Sequence, residues 1–258
     1  MFVIPVVLAR IVGHALPLAL GATMSAPPAT PARAPGADGW RVVTSFGRPG
    51  DFDQVTQIAA TGRDDAWATA QICGHGCKSL VTPLTVLHWD GRAWQRVPVP
   101  GLGGMNPNLD IPTLAASSAA SAWVFENTVR RGRARSWALR WTGRRWAAAR
   151  LPNSAVIGAA ATFGPADAWA FGTTGSGRRL APFDRRWDGR RWRRIWLPAV
   201  PYAVSALGAS DMWALGVTVR TLRVAPSRQV DVLMHLDGTR WRTLALPAIR
   251  RRPRALLG

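Results

Sequence analysis

The chain repeats itself, and the period of that repeat limits the possible folds more than any other feature. The segment His88-Trp-Asp-Gly-Arg-Ala-Trp94 returns as Arg140-Trp-Thr-Gly-Arg-Arg-Trp146, as Arg186-Trp-Asp-Gly-Arg-Arg-Trp192 and as His235-Leu-Asp-Gly-Thr-Arg-Trp241. In every copy a proline stands six residues beyond the closing Trp: Pro100, Pro152, Pro198 and Pro247. Upstream lies a second signature: Asp65-Ala-Trp-Ala68, Ser121-Ala-Trp-Val124, Asp167-Ala-Trp-Ala170 and Asp211-Met-Trp-Ala214. A unit of this length cannot bury its apolar face alone and does so by stacking on its neighbours.

Within each unit the apolar residues alternate. Aliphatics recur three and five residues beyond the closing Trp, as in Ile195 and Leu197 or Leu244 and Leu246, which is the period of a strand with one buried face. The Asp-Gly pair supplies the positive-φ residue that a hairpin needs. Each unit therefore reads as four strands. The first is of the Val55–Ala60 type, and a tight turn at Gly62-Arg-Asp-Asp65 leads to the second, which carries the upstream Trp. A variable loop follows, then a third strand ending in Trp-Asp-Gly. The fourth runs from the closing Trp to the Pro, where no ladder hydrogen bond is sacrificed. Four short strands in each such unit predict an all-β, β-propeller-like fold with four complete four-stranded blades plus partial terminal strands.

The blades are placed at about 55–100, 111–152, 155–198 and 202–247, within a repeat region spanning 35–247. Gly39-Trp40-Arg-Val-Val43 resembles the closing strand of a preceding unit, and 248–258 reads as a basic tail or a truncated next blade. Such a chain closes as four blades, borrows its end strands into a partial fifth, or belongs to a larger ring. An open or incompletely closed assembly is the expectation, with an exposed edge that invites association. The repeated tryptophans are expected to fill the space between sheets, and the repeated aspartates to cap turns.

The chain has 258 residues, 48% of them hydrophobic, which is enough for a substantial core. Against 14 acids stand 33 cations, only Lys78 being lysine, for a net charge of +19. Residues 1–34 read as a signal peptide and Pro/Ala-rich linker. An apolar stretch interrupted by Arg10, His14 and Pro17 is too broken for a membrane span, and small residues and prolines follow it. The expected mature protein is secreted, has no transmembrane segment, and could associate with the cell surface or wall. In an oxidising compartment Cys73 and Cys77 are read as a disulfide; free thiols, or a metal held together with His75, are the alternatives. A Gly-rich loop without a fourth ligand makes the metal reading weak, so no metal site and no cofactor are expected.

The paired signatures resemble the D-x-W-A … W-D-G-x-x-W … P repeats of a β-propeller-type family of uncharacterised secreted bacterial proteins, over residues 55–247. That resemblance implies an architecture and names no ligand. The Asp-Gly-x-x-Trp turn is similar to the sialidase Asp-box, with a different spacing. Copper chemistry of the galactose-oxidase kind needs two tyrosines, and Tyr202 is the sole one in the sequence.

Function is expected on one rim, in the variable loops Ile72–Pro83, Asn127–Arg135, Thr173–Pro182 and Thr218–Gln229. The candidate binding residues are Arg130, Arg131, Arg133, Arg135, Arg178, Arg179, Arg220, Arg223 and Arg228. Guanidinium groups pair bidentately with phosphate, sulfate and carboxylate. The resulting expectation is a non-catalytic binding or surface-interaction module for an extracellular or cell-wall polysaccharide or other polyanion. No motif supports sequence-specific nucleic-acid recognition, and the oligomeric state is open. One alternative is a propeller glycoside hydrolase or sialidase-like enzyme. Paired carboxylates would be required, and Glu126 and Asp110 are the acids least explained by the repeat. Tyr202, Glu126 and Arg130 supply sialidase residue types without confirming spacing, and Glu126 reads as a loop acid after the second strand. No catalytic residue is assigned. The other alternative is a structural or truncated repeat protein with no ligand.

Overall fold

The computed structural model describes residues 44–45, 53–72, 84–101, 111–130, 133–152, 155–224 and 229–244. Residues 1–34, Cys73, Cys77, Lys78, Asp110, Arg131, Arg228 and the tail 248–258 lie outside the described residues. Side chains are not described at Arg130, Arg133 and Arg178.

Four antiparallel meanders follow one another. The first joins β1 (Gln54–Gly62), β2 (Asp65–Gln71), β3 (Leu84–Trp89) and β4 (Trp94–Val97) in that order. The second joins β5 (Thr113–Ser118), β6 (Ser121–Arg130), β7 (Arg133–Trp141) and β8 (Trp146–Arg150) in the same way. In the third, β9 (Val156–Gly164) and β10 (Asp167–Thr174) are followed by a two-residue strand, β11 (Ala181–Pro182), that folds back on the end of β10. Strands β12 (Arg185–Trp187) and β13 (Trp192–Arg194) complete it. The fourth joins β14 (Ala199–Gly208), β15 (Asp211–Thr218), β16 (Asp231–Asp237) and β17 (Arg240–Leu244). The first strands β1, β5, β9 and β14 pack side by side in chain order, and no comparable packing joins β14 to β1 among the described residues. This is a propeller-type arrangement of four blades in an open arc. Among the described residues no helix is long and apolar enough to cross a membrane.

The turns explain why the repeat is spelled as it is. All four glycines of the hairpin signature, Gly91, Gly143, Gly189 and Gly238, have positive φ, between 69° and 89°. In two of these turns the preceding aspartate caps the backbone. Asp90 Oδ1 accepts from the N–H groups of Arg92 and Ala93, and Asp188 Oδ1 from those of Arg190 and Arg191. The aspartates of the upstream signature do something else. Asp65, Asp167 and Asp211 each hold a cationic or imidazole side chain of the third strand over the tryptophan two residues away. Register sets Trp67 opposite His88, Trp169 opposite Arg186 and Trp213 opposite His235. His88 Nε2 lies 2.7 Å from Asp65 and its ring lies tilted over Trp67, 4.4 Å between centroids. Arg186 makes two 2.9 Å hydrogen bonds to Asp167 and lies over Trp169. In the second sheet Ser121 replaces the aspartate, and Arg140, still over Trp123, donates instead to the Pro165 carbonyl of the third sheet. The expectation that these aspartates cap turns is therefore corrected for the upstream set.

The core lies between sheets. The upstream tryptophans of the first three blades project into the hairpin between third and fourth strands of the following blade. Trp67 lies 5.8 and 6.0 Å from Trp141 and Trp146, and Trp123 lies 5.6 and 5.1 Å from Trp187 and Trp192. Trp169 lies 6.4 Å from Trp241, with Leu236 in the place of the missing first tryptophan. Removing one such plate is expected to cost about 3–5 kcal/mol.

Close backbone approach is the second constraint. A bulge in β9 brings the Val156 carbonyl to 1.9 Å from where a Cβ on Gly172 would sit, whereas a Cβ on Gly62 would meet nothing within 4 Å. Gly172→Ala is expected to destabilise the fold by roughly 1–3 kcal/mol or more. Gly62→Ala should stay within about 0.5 kcal/mol of the parent. Urea midpoints of the two variants, followed by tryptophan fluorescence, test the pair; equal midpoints would contradict the packing.

Candidate anion-binding rim

The shared strand order puts the connections between second and third strands of the second, third and fourth blades at the same end. In the second blade this connection is not a loop. Strands β6 and β7 stay paired out to Arg130 and Arg133, so Asn127–Arg130 and Arg133–Arg135 form a two-stranded arm, which corrects the expectation of a variable loop at those residues. The ladder continues because Thr128 and Ser136 are buried at its base, and Trp137 Nε1 donates to Thr128 Oγ1 at 3.1 Å. Register places Arg130 directly opposite Arg133, and Arg135 opposite Thr128. The sequence carries arginine at positions 130, 131, 133 and 135, with no acid between Asn127 and Arg135.

In the third and fourth blades the connections hold short 3₁₀ turns, Gly177–Arg179 and Val219–Thr221. Arg178 and Arg179 lie in the first turn and Arg220 in the second; Arg179 and Arg220 are exposed. Arg223 joins the two, its Nε donating to the Leu180 carbonyl at 2.8 Å. Its head group is thus partly engaged in holding neighbouring blades together. Arg131 and Arg228 lie outside the described residues, as do Cys73 and Cys77.

The acids weighed for catalysis separate. Glu126 is not a loop acid: it sits inside β6, buried and opposite Trp137. Tyr202 stands in β14, at the bulge between Pro201 and Ala203, on a blade that is not adjacent to that of Glu126. Among the described residues no three His, Cys, Asp or Glu side chains gather in a way that could hold a metal ion.

One charged cluster departs from the repeat at core positions. Aligned on the third-strand tryptophan, Asp184 occupies the place of Val86 and Ala138, and Arg185 that of Leu87, Leu139 and Met234, all of them buried. Asp184 is only 2% exposed, and its Oδ1 has no hydrogen-bond partner among the described residues. Loss of water pushes its carboxyl up to about 7, against the opposing pull of the Gly172 N–H, Arg185 and Arg194. Arg185 stands directly across the ladder from Arg194, and its guanidinium is held below its usual range by burial first and by Arg194 second. Both arginines stack on aromatics, Arg185 over Phe183 and Arg194 over the exposed Trp196. Charged residues at positions that are aliphatic in the sister repeats were the available signal for this cluster.

No family model matches the chain, and no curated protein matches it either. Among solved structures, one described as "YCF48 bound to D1 peptide" aligns over 80% of this chain and 88% of that one, at 11% identity and a TM-score of 0.28. So faint a likeness carries no argument about function, and the propeller-type assignment stands on the four sheets themselves.

The buried carboxyl gives stability a definite pH dependence. From the ordinary aspartate value of 3.8 up to about 7, the folded chain holds a proton at Asp184 that the unfolded chain has lost. Stability should therefore fall as pH rises through that window. Asp184→Asn keeps the shape without the charge, and is expected to unfold at higher urea than the parent near pH 8, by about 2–4 kcal/mol. The difference should shrink toward zero near pH 4. A constant difference across the range would show that burial of the charge is not what the variant relieves.

Proposed function

We infer that the chain is a secreted, non-catalytic binding module, and that its ligand is an anionic polysaccharide or related polyanion of the cell wall or extracellular space. The observation that carries this reading is the arm formed by β6 and β7. Four arginine positions fall within six residues, two of them directly opposed in the ladder, with no acid in the sequence between Asn127 and Arg135. Like charges set opposite one another weaken a sheet, and an anion from outside removes that repulsion while accepting bidentate hydrogen bonds. The 3₁₀ turns add Arg178, Arg179 and Arg220 at the same end of the blades. A polymer with regularly spaced carboxylate, sulfate or phosphate groups suits a row of guanidinium groups on a rim better than a small anion does. Export of the chain, read from residues 1–34, supports an extracellular ligand.

Replacing Arg130, Arg131, Arg133 and Arg135 together by Ser tests the reading. Exposed charge pairs contribute about 0.2–1 kcal/mol each, so affinity for the cognate anionic polymer should fall by roughly tenfold or more. Binding is measured by titration against neutral and anionic wall polysaccharides at low and high salt. Retention of one polymer at high salt by the parent, lost in the variant, is the expected result. Unchanged affinity in the variant for every anionic polymer would refute it.

A further inference from the structure

We propose that the outer edge of the third blade holds an acidic-sugar subsite, in which a hexuronate stacks on Trp196 and sets its carboxylate against Arg194 and Arg185. This subsite rests on the polyanion-binding role and specifies the repeating unit of the polymer. Trp196 is not a tryptophan of the repeat. It stands four residues beyond the closing Trp192, where the sister repeats have Pro98, Arg150 and Ala245. Ile195 and Leu197 on either side of it turn into the apolar cluster between the third and fourth blades, and Trp196 turns outward. It is 77% exposed, whereas the next most exposed described tryptophan, Trp213, is 39% exposed. So large an apolar ring left in water adds nothing to the stability of the fold.

The charges beside it are sorted by face. Strands β12 and β13 carry two cross-strand pairs of arginines, Arg186 with Arg193 and Arg185 with Arg194, and alternation sets the pairs on opposite faces of the sheet. The first pair is neutralised, Arg186 by Asp167 and Arg193 by Asp188. Among the described residues no acid forms an ion pair with the second. Asp184 does not bridge it: its Oδ1 is buried without a hydrogen-bond partner, and the carboxyl accepts from the Gly172 N–H instead. Both guanidinium groups lie on aromatic rings, Arg185 4.6 Å from the centre of Phe183 and Arg194 3.5 Å from that of Trp196. Arg185 also donates to the Asp184 carbonyl at 3.0 Å, which fixes its orientation further. Arg194 is exposed, and Arg185 is half-buried. Like charges set directly across a ladder repel, and an external carboxylate relieves that repulsion.

The ligand class follows from the two halves of the site. An indole offers a flat apolar surface, and the C–H groups on one face of a pyranose give a sugar a matching one. A guanidinium already stacked on that indole is ordered before the ligand arrives, so less side-chain freedom is lost on binding. A neutral sugar uses the ring and leaves the arginine pair unbalanced. A phosphate chain uses the pair and leaves the ring in water. A pyranose carrying a carboxylate uses both. Arg185 opens β12 and Arg194 closes β13, at the end of the blade that carries the Gly177–Arg179 turn. The subsite therefore lies on the same rim as the other connections between second and third strands.

The test is calorimetric titration of the full chain with tetragalacturonate, with neutral tetragalactose and with linear tetraphosphate at moderate salt. Tetragalacturonate should bind more tightly than tetragalactose, and should change the tryptophan fluorescence where tetraphosphate does not. Trp196→Ala and Arg185→Leu introduce residues that sister repeats carry at those places, Ala245 and Leu87, so both variants should fold. Each should lower affinity for tetragalacturonate by about tenfold or more. Trp196→Ala changes no charge and should leave tetraphosphate binding as it is in the parent. The arm variant, with its four arginines replaced by Ser, separates this subsite from the wider role. If that variant loses the polymer while Trp196→Ala binds tetragalacturonate like the parent, the subsite is refuted and the rim role stands. If the arm variant keeps every polymer while Trp196→Ala loses tetragalacturonate, the subsite stands and the arm is not the seat of binding. A parent that binds tetragalacturonate no better than tetragalactose would overturn the proposal.

Discussion

Everything in this structure depends on one contact made three times, an indole from the second strand of a blade set against the closing tryptophan of the next, with Trp141, Trp187 or Leu236 beside it. The three largest apolar clusters each span two neighbouring blades. A four-stranded meander exposes two faces, and each becomes core when the neighbouring blade covers it. The tryptophan supplies the area, and the Asp–His or Asp–Arg cassette beside it fixes the ring plane from its other side. Where the aspartate is missing, at Ser121, the chain keeps the cation over the ring and moves its hydrogen bond to the Pro165 carbonyl of the following blade. The cassette tolerates a change of partner because the cation's main duty is to cover the ring.

The same contact explains which departures from the repeat are informative. A propeller core has many equivalent positions, and most substitutions among them exchange one apolar residue for another, as Leu139 for Leu87 or Met234. Asp184 and Arg185 are different in kind. A carboxyl with an oxygen left unpartnered in a dry site is destabilising at neutral pH, and two arginines directly across a ladder add to the strain. In the same blade the outer strands are three residues each, and β11 is added at the end of β10.

Much of this was legible in the chain before any coordinates. The spacing of Trp67, Trp123, Trp169 and Trp213, the Asp-Gly turns and the period-two strands specify four meanders, and four are found. The functional rim was less legible for a physical reason. Asn127–Arg135 is polar and arginine-rich, as a loop would be, but a hairpin can extend into solvent with any side chains once Thr128 and Ser136 anchor its base. Glu126 looked like a loop acid because acids are rare in buried strands. The difference in burial between Trp213 and its three equivalents leaves no mark on the local sequence, since it depends on what stands beside the blade and not on the blade.

The distribution of charge follows from the repeat as well. Every aspartate of the two signatures is engaged within its own blade. Asp65, Asp167 and Asp211 hold the rings, Asp90 and Asp188 cap turns, and Asp237 lies 3.4 Å from Arg242. The hydrogen bonds at Asp188, from the Arg191 and Arg190 backbone and the Arg193 side chain, hold that carboxylate well below its usual range, so it stays charged and occupied. These acids neutralise cations of the scaffold and leave few to balance the connections between second and third strands, where the blades differ most. A net charge of +19 spread evenly would only solubilise the chain. Local pairing thus accounts for the acids of both signatures within the blades, while the sequence from Asn127 to Arg135 carries four arginines and no acid.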